Sequence, residues 1–386
     1  MNSPLIDRHN YQNAVKASLE QFPITAILGP RQCGKTTLAR QIAADSSIYF
    51  DLEDPLDLSR LENPRLVLEK LRGLVVIDEI QQKPELFPLL RVLVDSHGSS
   101  ARYLILGSAS PSIVKGISES LAGRVGFIDM TGFDAGEIGF DSFECLWLRG
   151  GFPMSFLARS DEESFRWRTQ FIRTFLTQDM PQLGFSIPSE QMRRFWIMLA
   201  HYHGQTWNAS EIAGSLNLNY KTTQRYLDIL TGAFMIRQLQ PWFENVGKRI
   251  RKTPKIYFRD SGIFHALLNL KSMDEIQTNP KLGASWEGVA LEHVVQVLKA
   301  AADEIFYWNT YGGAELDLFI IRGGRRFGFE FKYADAPRTT KSMRIAFNDL
   351  RLEHLFMIYP GSVSYSLDPQ IEVVPLEKID KGLSGL

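Results

Sequence analysis

The chain has 386 residues, of which 44% are hydrophobic and 23% charged, a composition that excludes a disordered, collagen-like or coiled-coil protein and predicts two or three globular domains. Its 43 basic and 44 acidic side chains give a formal net charge of -1, so any nucleic-acid binding has to come from locally clustered charge. Only two cysteines are present, and no apolar stretch has the length of a signal peptide or a membrane span, which predicts a cytoplasmic protein.

The pattern of apolar residues changes several times along the chain. Between residues 24 and 138, apolar runs such as ITAIL, LVVID and RYLIL alternate with helical patterns, which predicts a parallel sheet with helices on both faces. Aromatic-rich helical patterns follow, then short helices with strand-like runs, and a second α/β pattern begins near residue 285. We therefore predict an α/β protein with domains at residues 1–140, 141–204, 205–262 and 263–386.

The strongest motif follows the apolar run ITAIL. It reads GPRQCGKT and matches G-x-x-x-x-G-K-[ST] in the strand–helix context that this phosphate-binding pattern requires. Its glycines let backbone N–H groups converge on phosphate oxygens at a helix N-terminus, although Pro30 leaves one donor fewer. We expect Lys35 to reach the β- and γ-phosphates of a nucleotide and Thr36 to bind Mg²⁺. The expected nucleotide-binding residues are Gly29, Pro30, Arg31, Gln32, Cys33, Gly34, Lys35, Thr36 and Thr37.

Acidic and polar side chains end two later strands of the same predicted sheet. In LVVIDEI, Asp78 is placed to hold the Mg²⁺ shell and Glu79 to deprotonate an attacking water, which we favour over a solvent-facing pair that merely closes a strand. Ser108, after RYLIL, is a candidate contact to the γ-phosphate or the water, or a simple turn residue. Arg124 is a candidate to stabilise the phosphoryl group from the same or a neighbouring subunit, or a solvated surface residue.

Several motifs of the chain occur together in one family. They read GPRQCGKTTLA, LVVIDEIQ, LILGSAS, SLAGRV, GGFP, TTQRYLDILTGAFMIRQLQPW, KIYFRDSGI and ELDLF…FEFK. With them the sequence resembles the prokaryotic AAA-type P-loop ATPases that carry a C-terminal domain of unknown function 4143. The resemblance implies, for the four predicted domains in order, an ATPase core, a helical connector, a winged helix and a PD-(D/E)xK nuclease-like domain. It strengthens Arg124, whereas Met154 departs from the family pattern and is expected to lie away from the ATP chemistry.

A helix-turn-helix is predicted where SEIAGSL and YKTTQRYLDIL flank a turn at residues 217–219. In the second helix, four residues at helical spacing are expected to face the core: Thr223, Tyr226, Leu227 and Leu230. Lys221, Thr222 and Arg225 are left outside, where a recognition helix contacts DNA. A basic loop between two strands, read as a wing, adds Lys248, Arg249, Arg251 and Lys252. The alternative is a rigid spacer or protein-docking unit whose basic loop is merely solvated.

Three carboxylates and a lysine are expected to converge near the C-terminus. A hairpin turn at residues 323–324 brings the strand of Asp317 beside the strand that carries Glu330 and Lys332. Glu287 lies on the apolar stripe of a nearby helix, so its carboxylate also faces inward. Because Lys332 alone offers one positive charge against three carboxylates, we predict a divalent-metal site, with Asp317 and Glu330 as ligands, that cleaves phosphodiesters. The alternative is a structural network of ion pairs.

These signals together predict an enzyme that hydrolyses ATP with Mg²⁺ and couples its nucleotide state to a winged-helix and nuclease-like arm acting on DNA. One alternative is an ATP-controlled switch that binds DNA or protein without cleaving anything. Another is an assembly protein whose C-terminal domain only forms oligomers. The expected partners are ATP, DNA and further copies of the chain, and no membrane.

Overall fold

The computed structural model describes residues 6–43, 47–96, 100–108, 111–182, 185, 187–243 and 253–379. Contacts divide the chain into two compact units. The first unit comprises Met1–Phe133, Gly151–Leu157 and Asp228–Met235, and the second comprises Asp134–Gly150, Ala158–Leu227 and Ile236–Leu386. Within the described ranges, no helix combines the length and the apolar character needed to cross a lipid bilayer.

The helices and strands up to residue 129 are α1 (His9–Gln21), β1 (Ile24–Gly29), α2 (Lys35–Ile42), β2 (Ile48–Asp51), α3 (Pro55–Arg60), α4 (Pro64–Leu68), β3 (Gly73–Asp78), α5 (Leu86–Asp95), β4 (Ala101–Ser108), α6 (Pro111–Ser120) and β5 (Val125–Asp129). Those that follow up to residue 239 are α7 (Ala135–Ile138), α8 (Phe143–Arg149), α9 (Pro153–Phe156), α10 (Asp161–Thr174), α11 (Met180–Gln182), α12 (Ser189–His201), β6 (Gln205–Thr206), α13 (Ala209–Leu216), α14 (Tyr220–Gly232) and β7 (Ile236–Leu239). The remaining ones are β8 (Lys255–Phe258), α15 (Ser261–Leu267), α16 (Met273–Gln277), α17 (Leu282–Val297), β9 (Ile305–Asn309), β10 (Glu315–Arg322), β11 (Arg325–Phe331), α18 (Lys341–Leu350), β12 (His354–Tyr359), β13 (Tyr365–Asp368) and β14 (Ile371–Pro375).

A parallel five-stranded sheet forms the centre of the first unit, in the order β2-β3-β4-β1-β5. All six residues of β1 are buried, as are seven of the eight in β4 and the last four of the six in β3, as expected for central strands covered on both faces. The predicted doubly covered parallel sheet is confirmed. Because the strands run in one direction, the ends of β1, β3 and β4 bring Gly29, Asp78 and Ser108 to the same edge.

A mixed six-stranded sheet dominates the second unit, in the order β13-β14-β12-β11-β10-β9. The predicted hairpin between β10 and β11 is present, and its two turn residues are Gly323 and Gly324, with φ of 57° and 80°. Trp286 and Leu291 of α17 pack in one hydrophobic cluster with side chains of the sheet, and Met343 of α18 packs in another. This confirms a C-terminal α/β region.

The segment between residues 205 and 258 contains two helices and a small antiparallel sheet in the order β6-β8-β7. Helix α13 ends at Leu216, and Asn217 turns the chain with a φ of 53° before α14 begins. The four residues predicted to face the core are buried: Thr223, Tyr226, Leu227 and Leu230. Lys221 and Arg225 are exposed on the same helix, as their spacing predicted.

Candidate functional site

The loop between β1 and α2 has the shape of a phosphate-binding loop. Gln32 and Gly34 adopt left-handed conformations, with φ of 62° and 100°, which curl the backbone ahead of the N-terminus of α2. Gly29 passes so close to Met130 that a Cβ atom on it would lie 2.0 Å from the Met130 carbonyl oxygen. Lys35 is buried, and its Nζ donates to the carbonyl oxygens of Pro30, at 2.8 Å, and Gly29, at 3.2 Å.

Thr36 and Asp78 meet beside this loop, as the sequence predicted. The Thr36 hydroxyl donates to Asp78 Oδ2 at 2.7 Å, and the Tyr49 hydroxyl donates to the same oxygen at 2.6 Å. Tyr49 on β2 is a site residue that sequence reasoning missed. A hydroxyl and a buried carboxylate are hard oxygen donors of the kind Mg²⁺ prefers, so the residues present fit this ion. When bound, Mg²⁺ would neutralise charge on the β- and γ-phosphate oxygens.

Glu79 has a conformation and an environment suited to a base. Its backbone is left-handed, with a φ of 54°, and its N–H donates to Asp78 Oδ1 at 2.9 Å. Burial is the main cause that raises the pKa of Glu79 above its ordinary value of 4.5, although Lys35 acts in the opposite direction. A carboxylate with a raised pKa accepts a proton more readily, which is the property that the predicted role of Glu79 requires.

Gln81 links Glu79 to Ser108 and was not singled out from the sequence. Its Nε2 donates to Glu79 Oε2, while its Oε1 accepts the Ser108 N–H at 3.3 Å. The Ser108 hydroxyl is buried and has no hydrogen-bond partner among the described atoms. It is therefore available for a ligand oxygen, and its contact with the γ-phosphate or the water stays a prediction.

A cavity of about 470 Å³ adjoins the loop, and its size is that of a small-molecule site. Its polar wall includes Lys35 and Thr36, and its apolar wall includes Phe133, Pro153 and Met154. The expectation that Met154 lies away from the nucleotide site is therefore wrong, because α9 brings this side chain to the rim of the cavity.

Arg8 fixes the backbone that surrounds this cavity. It is buried, and its guanidinium donates to the carbonyl oxygens of Cys33, at 3.2 Å, and Gly132, at 2.8 Å. The guanidinium also lies over the rings of Tyr11 and Phe133. Arg8 thereby ties the phosphate-binding loop to the segment after β5, and no motif in the sequence pointed to it.

Arg124 lies at the other edge of the sheet. It precedes β5, whose first residue, Val125, pairs with Ile24 at the start of β1, whereas the phosphate-binding loop follows the end of β1. The two edges are separated by a six-residue strand, or roughly 20 Å, so Arg124 cannot reach the nucleotide of its own chain. Its guanidinium forms a double hydrogen bond with Asp95, at 2.6 and 2.8 Å.

The second unit brings together the four residues predicted near the C-terminus, and it adds a second lysine. Lys255 of β8 is buried, and its Nζ lies 3.1 Å from Asp317 Oδ1 and 3.5 Å from Glu287 Oε1. Lys332 Nζ lies 2.9 Å from Glu330 Oε2. The prediction that Lys332 is the only cation facing three carboxylates is therefore wrong. We call these five residues the carboxylate–lysine cluster.

The pKa values of two carboxyl groups in the cluster shift in opposite directions. Burial opposes the ionisation of Asp317, but Lys255 and Lys332 outweigh it and hold the pKa of Asp317 below its ordinary range. Burial, followed by repulsion from Asp317, raises the pKa of Glu287 to about 7. Among the described residues, no group of three or more His, Cys, Asp or Glu side chains has an arrangement that could hold a metal ion. The divalent-metal site with Asp317 and Glu330 as ligands stays a prediction.

The predicted DNA-contacting residues are only partly described. Lys221 and Arg225 lie in the first two turns of α14 and border a shallow surface depression together with Thr222. The predicted wing residues lie outside the described ranges: Lys248, Arg249, Arg251 and Lys252. Lys221 and Arg225 therefore form a basic end of α14.

Comparisons with known proteins give matches to sequence families and to solved structures. Sequence models match three families, described as "AAA domain" at residues 21–139, "Domain of unknown function (DUF8612)" at residues 140–274 and "Domain of unknown function (DUF4143)" at residues 282–379. The predicted boundaries at 140, 204 and 262 stay predictions. The Walker-type ATPase PABY2304 of Pyrococcus abyssi, a solved structure, is 17% identical, with a TM-score of 0.45 over 68% of this chain and 96% of that chain.

Two curated relatives resemble the chain over almost its whole length. They are Uncharacterized protein Rv2008c of Mycobacterium tuberculosis and Uncharacterized protein Mb2031c of Mycobacterium bovis. Each is 47% identical over 376 residues, which cover 97% of this chain and 85% of the relative. Together with the AAA and DUF4143 matches, this similarity shows that the chain belongs to the AAA-type P-loop ATPases that carry a C-terminal DUF4143 domain.

Proposed function

We propose that the first unit binds ATP with Mg²⁺ and hydrolyses it to ADP and phosphate. The observation that carries the proposal is the contact between Thr36 and Asp78 beside the phosphate-binding loop, with Glu79 next to it. Lys35 would move from the loop carbonyl oxygens to the β- and γ-phosphates, while Glu79 accepts a proton from the attacking water. The adjoining apolar wall at Phe133 is suited to a nucleoside.

The test is equilibrium binding of a fluorescent ATP analogue together with steady-state release of phosphate. Lys35→Ala is expected to abolish binding, because it removes the cation that would meet the β- and γ-phosphates. Lys16→Ala removes an equal charge from an exposed position of α1 and serves as the matched control. Unchanged binding in Lys35→Ala would contradict the assignment of the site.

We further propose that α13, α14 and the strands β6, β7 and β8 form a winged-helix unit that binds duplex DNA. The support is the exposed basic end of α14, where Lys221 and Arg225 project beside a surface depression. Phosphate contacts from these two side chains would supply affinity without sequence preference. The net charge of the chain contributes no such attraction, so binding depends on this local pair and its surroundings.

A gel-shift titration over a range of salt concentrations tests the DNA proposal. The double variant Lys221→Ala/Arg225→Ala is expected to weaken binding and to lower the salt slope by about 2, since each lost phosphate contact removes about one unit. Lys341→Ala/Arg344→Ala removes the same charge from exposed positions of α18 and is the control. Absence of salt-dependent binding in the wild type would favour the assembly or protein-docking alternatives.

A further inference from the structure

Lys255 occupies the centre of the carboxylate–lysine cluster. Its Nζ lies between Asp317 and Glu287, within ion-pair distance of both carboxylates. Only 4% of Lys255 is exposed to solvent. A buried ammonium in this position neutralises the two carboxylates that would otherwise repel each other, which is the task that the sequence argument gave to a divalent ion.

Protein groups already engage three of the carboxylate oxygens that an ion would need, whereas Glu330 Oε1 is buried without a hydrogen-bond partner among the described atoms. Asp317 Oδ1 faces Lys255, and Asp317 Oδ2 accepts the backbone N–H of Phe331 at 3.2 Å. Glu287 Oε1 accepts the hydroxyl of Tyr257 in addition to facing Lys255. Two protein groups therefore contact each of Asp317 and Glu287, and a metal ion would have to displace them to gain these two carboxylates among the several oxygen ligands that it requires.

The backbone of β10 contributes to this arrangement. The ladder between β10 and β11 runs from Arg322 to Leu318 and stops there, and the pairing of β10 with β9 shifts register between Leu316 and Phe319. Beyond the end of the ladder between β10 and β11, the Asp317 side chain accepts the Phe331 N–H. Asp317 thus links β10 to β11 beyond the end of their ladder, next to the register shift between β10 and β9.

A second buried ion cluster joins the same two regions. Glu292, five residues after Glu287 on α17, makes a double hydrogen bond with Arg237 of β7, at 2.5 and 2.8 Å. Glu292 also lies 3.8 Å from Arg259, next to the end of β8. Both carboxylates of α17 therefore pair with cations from the β7–β8 pair, which indicates a structural connection between these strands and the C-terminal sheet.

We propose that Lys255 takes the place of a metal ion, so that the carboxylate–lysine cluster fastens β8 to the C-terminal domain and does not cleave nucleic acid. The ammonium comes from the predicted winged-helix segment and the carboxylates from the predicted nuclease-like domain. The cluster then connects the predicted winged-helix segment to the predicted nuclease-like domain by buried ion pairs. The chain would act on DNA by binding alone, in agreement with the non-cleaving alternative of the sequence analysis.

Thermal unfolding without nucleotide, with and without millimolar Mn²⁺, tests this proposal. Mn²⁺ is expected to leave the wild-type Tm unchanged. Lys255→Met keeps the length of the side chain and removes its charge, which leaves the buried carboxylates of Asp317 and Glu287 without this partner. Because an unpaired buried charge is costly, we expect the variant to lower Tm by about 5 °C or more. Mn²⁺ should restore part of this loss, and should not do so in Lys255→Met/Asp317→Asn. Lys299→Met, at an exposed position after α17, is the control.

Three outcomes would overturn the proposal. The first is a Mn²⁺-induced rise in the wild-type Tm that disappears in Asp317→Asn. The second is Mn²⁺-dependent cleavage of duplex or single-stranded DNA by the wild type that is lost in the same variant, a measurement that remains decisive if Lys255→Met does not fold. The third is a Lys255→Met variant with wild-type Tm or with no response to Mn²⁺. These three measurements are made without nucleotide. The ATPase proposal is therefore tested separately, by the Lys35→Ala variant.

Discussion

Replacing Glu79 with glutamine separates proton transfer from every other function of the nucleotide site. The introduced amide has nearly the same shape, and its oxygen can still accept the hydrogen bond from Gln81. The contact from the Glu79 N–H to Asp78 belongs to the backbone and is unaffected. The variant therefore loses only the group that accepts a proton from the attacking water, and we expect it to retain ATP.

The size of the effect follows from the contribution of a general base. Such a group accelerates a reaction by roughly 10²–10⁴-fold, or about 3–5 kcal/mol of barrier, so we expect turnover in Glu79→Gln to fall by at least about 10²-fold. The affinity for ATP should change by less than about 3-fold, because no phosphate-binding group is altered.

The pH dependence supplies a second measurement on the same variant. Since burial raises the pKa of Glu79 above 4.5, the wild-type side chain takes up a proton as the pH falls through that raised value, and turnover should decrease there. The residual activity of Glu79→Gln should lack this acid limb. Glu85→Gln, at an exposed position after β3, is the control. Wild-type turnover in Glu79→Gln, or an unchanged acid limb, would refute the assignment of the base.

Three further predictions concern other parts of the molecule. Arg124→Ala should lower turnover by about 10-fold or more if the guanidinium leaves Asp95 and completes the site of a neighbouring subunit; turnover per chain that is constant on dilution through the monomer range would exclude this. Tyr49→Phe removes a hydroxyl from Asp78 and should weaken the apparent affinity for Mg²⁺ by about 10-fold, with metal-free ADP binding unchanged as the check. Arg168→Met removes the donor to three carbonyl oxygens and should destabilise the second unit by roughly 3 kcal/mol, and an unchanged denaturation midpoint would contradict it.

The nucleotide site could be predicted because each of its main residues lies in a short motif at the end of a strand. Parallel strands end at one edge, so the positions of Lys35, Asp78 and Ser108 followed from the sequence pattern alone. Gln81 was within reach of the same reasoning, since it lies two residues after Glu79 in LVVIDEIQ. A polar side chain two residues after the proposed base is a signal that spacing can reveal.

The other missing residues could not be found in this way. Lys255 lies 62 residues before its partner Asp317, and Arg8 lies 124 residues before its partner Gly132. Such contacts depend on how strands and loops pack in three dimensions, and a single sequence contains no spacing rule for them. The charge balance of the carboxylates therefore looked incomplete in the sequence, and a metal ion was the natural group to add.

The close passage of Gly29 beside Met130 affects how genetic experiments on this chain are read. A methyl group at position 29 would collide with the Met130 carbonyl oxygen, so Gly29→Ala disturbs the packing of the sheet before any nucleotide is present. Loss of function in that variant would report a folding defect. A screen that scores every motif substitution as a loss of nucleotide binding would thus mix defects in folding with defects in binding. Substitution of the Lys35 side chain separates these two causes.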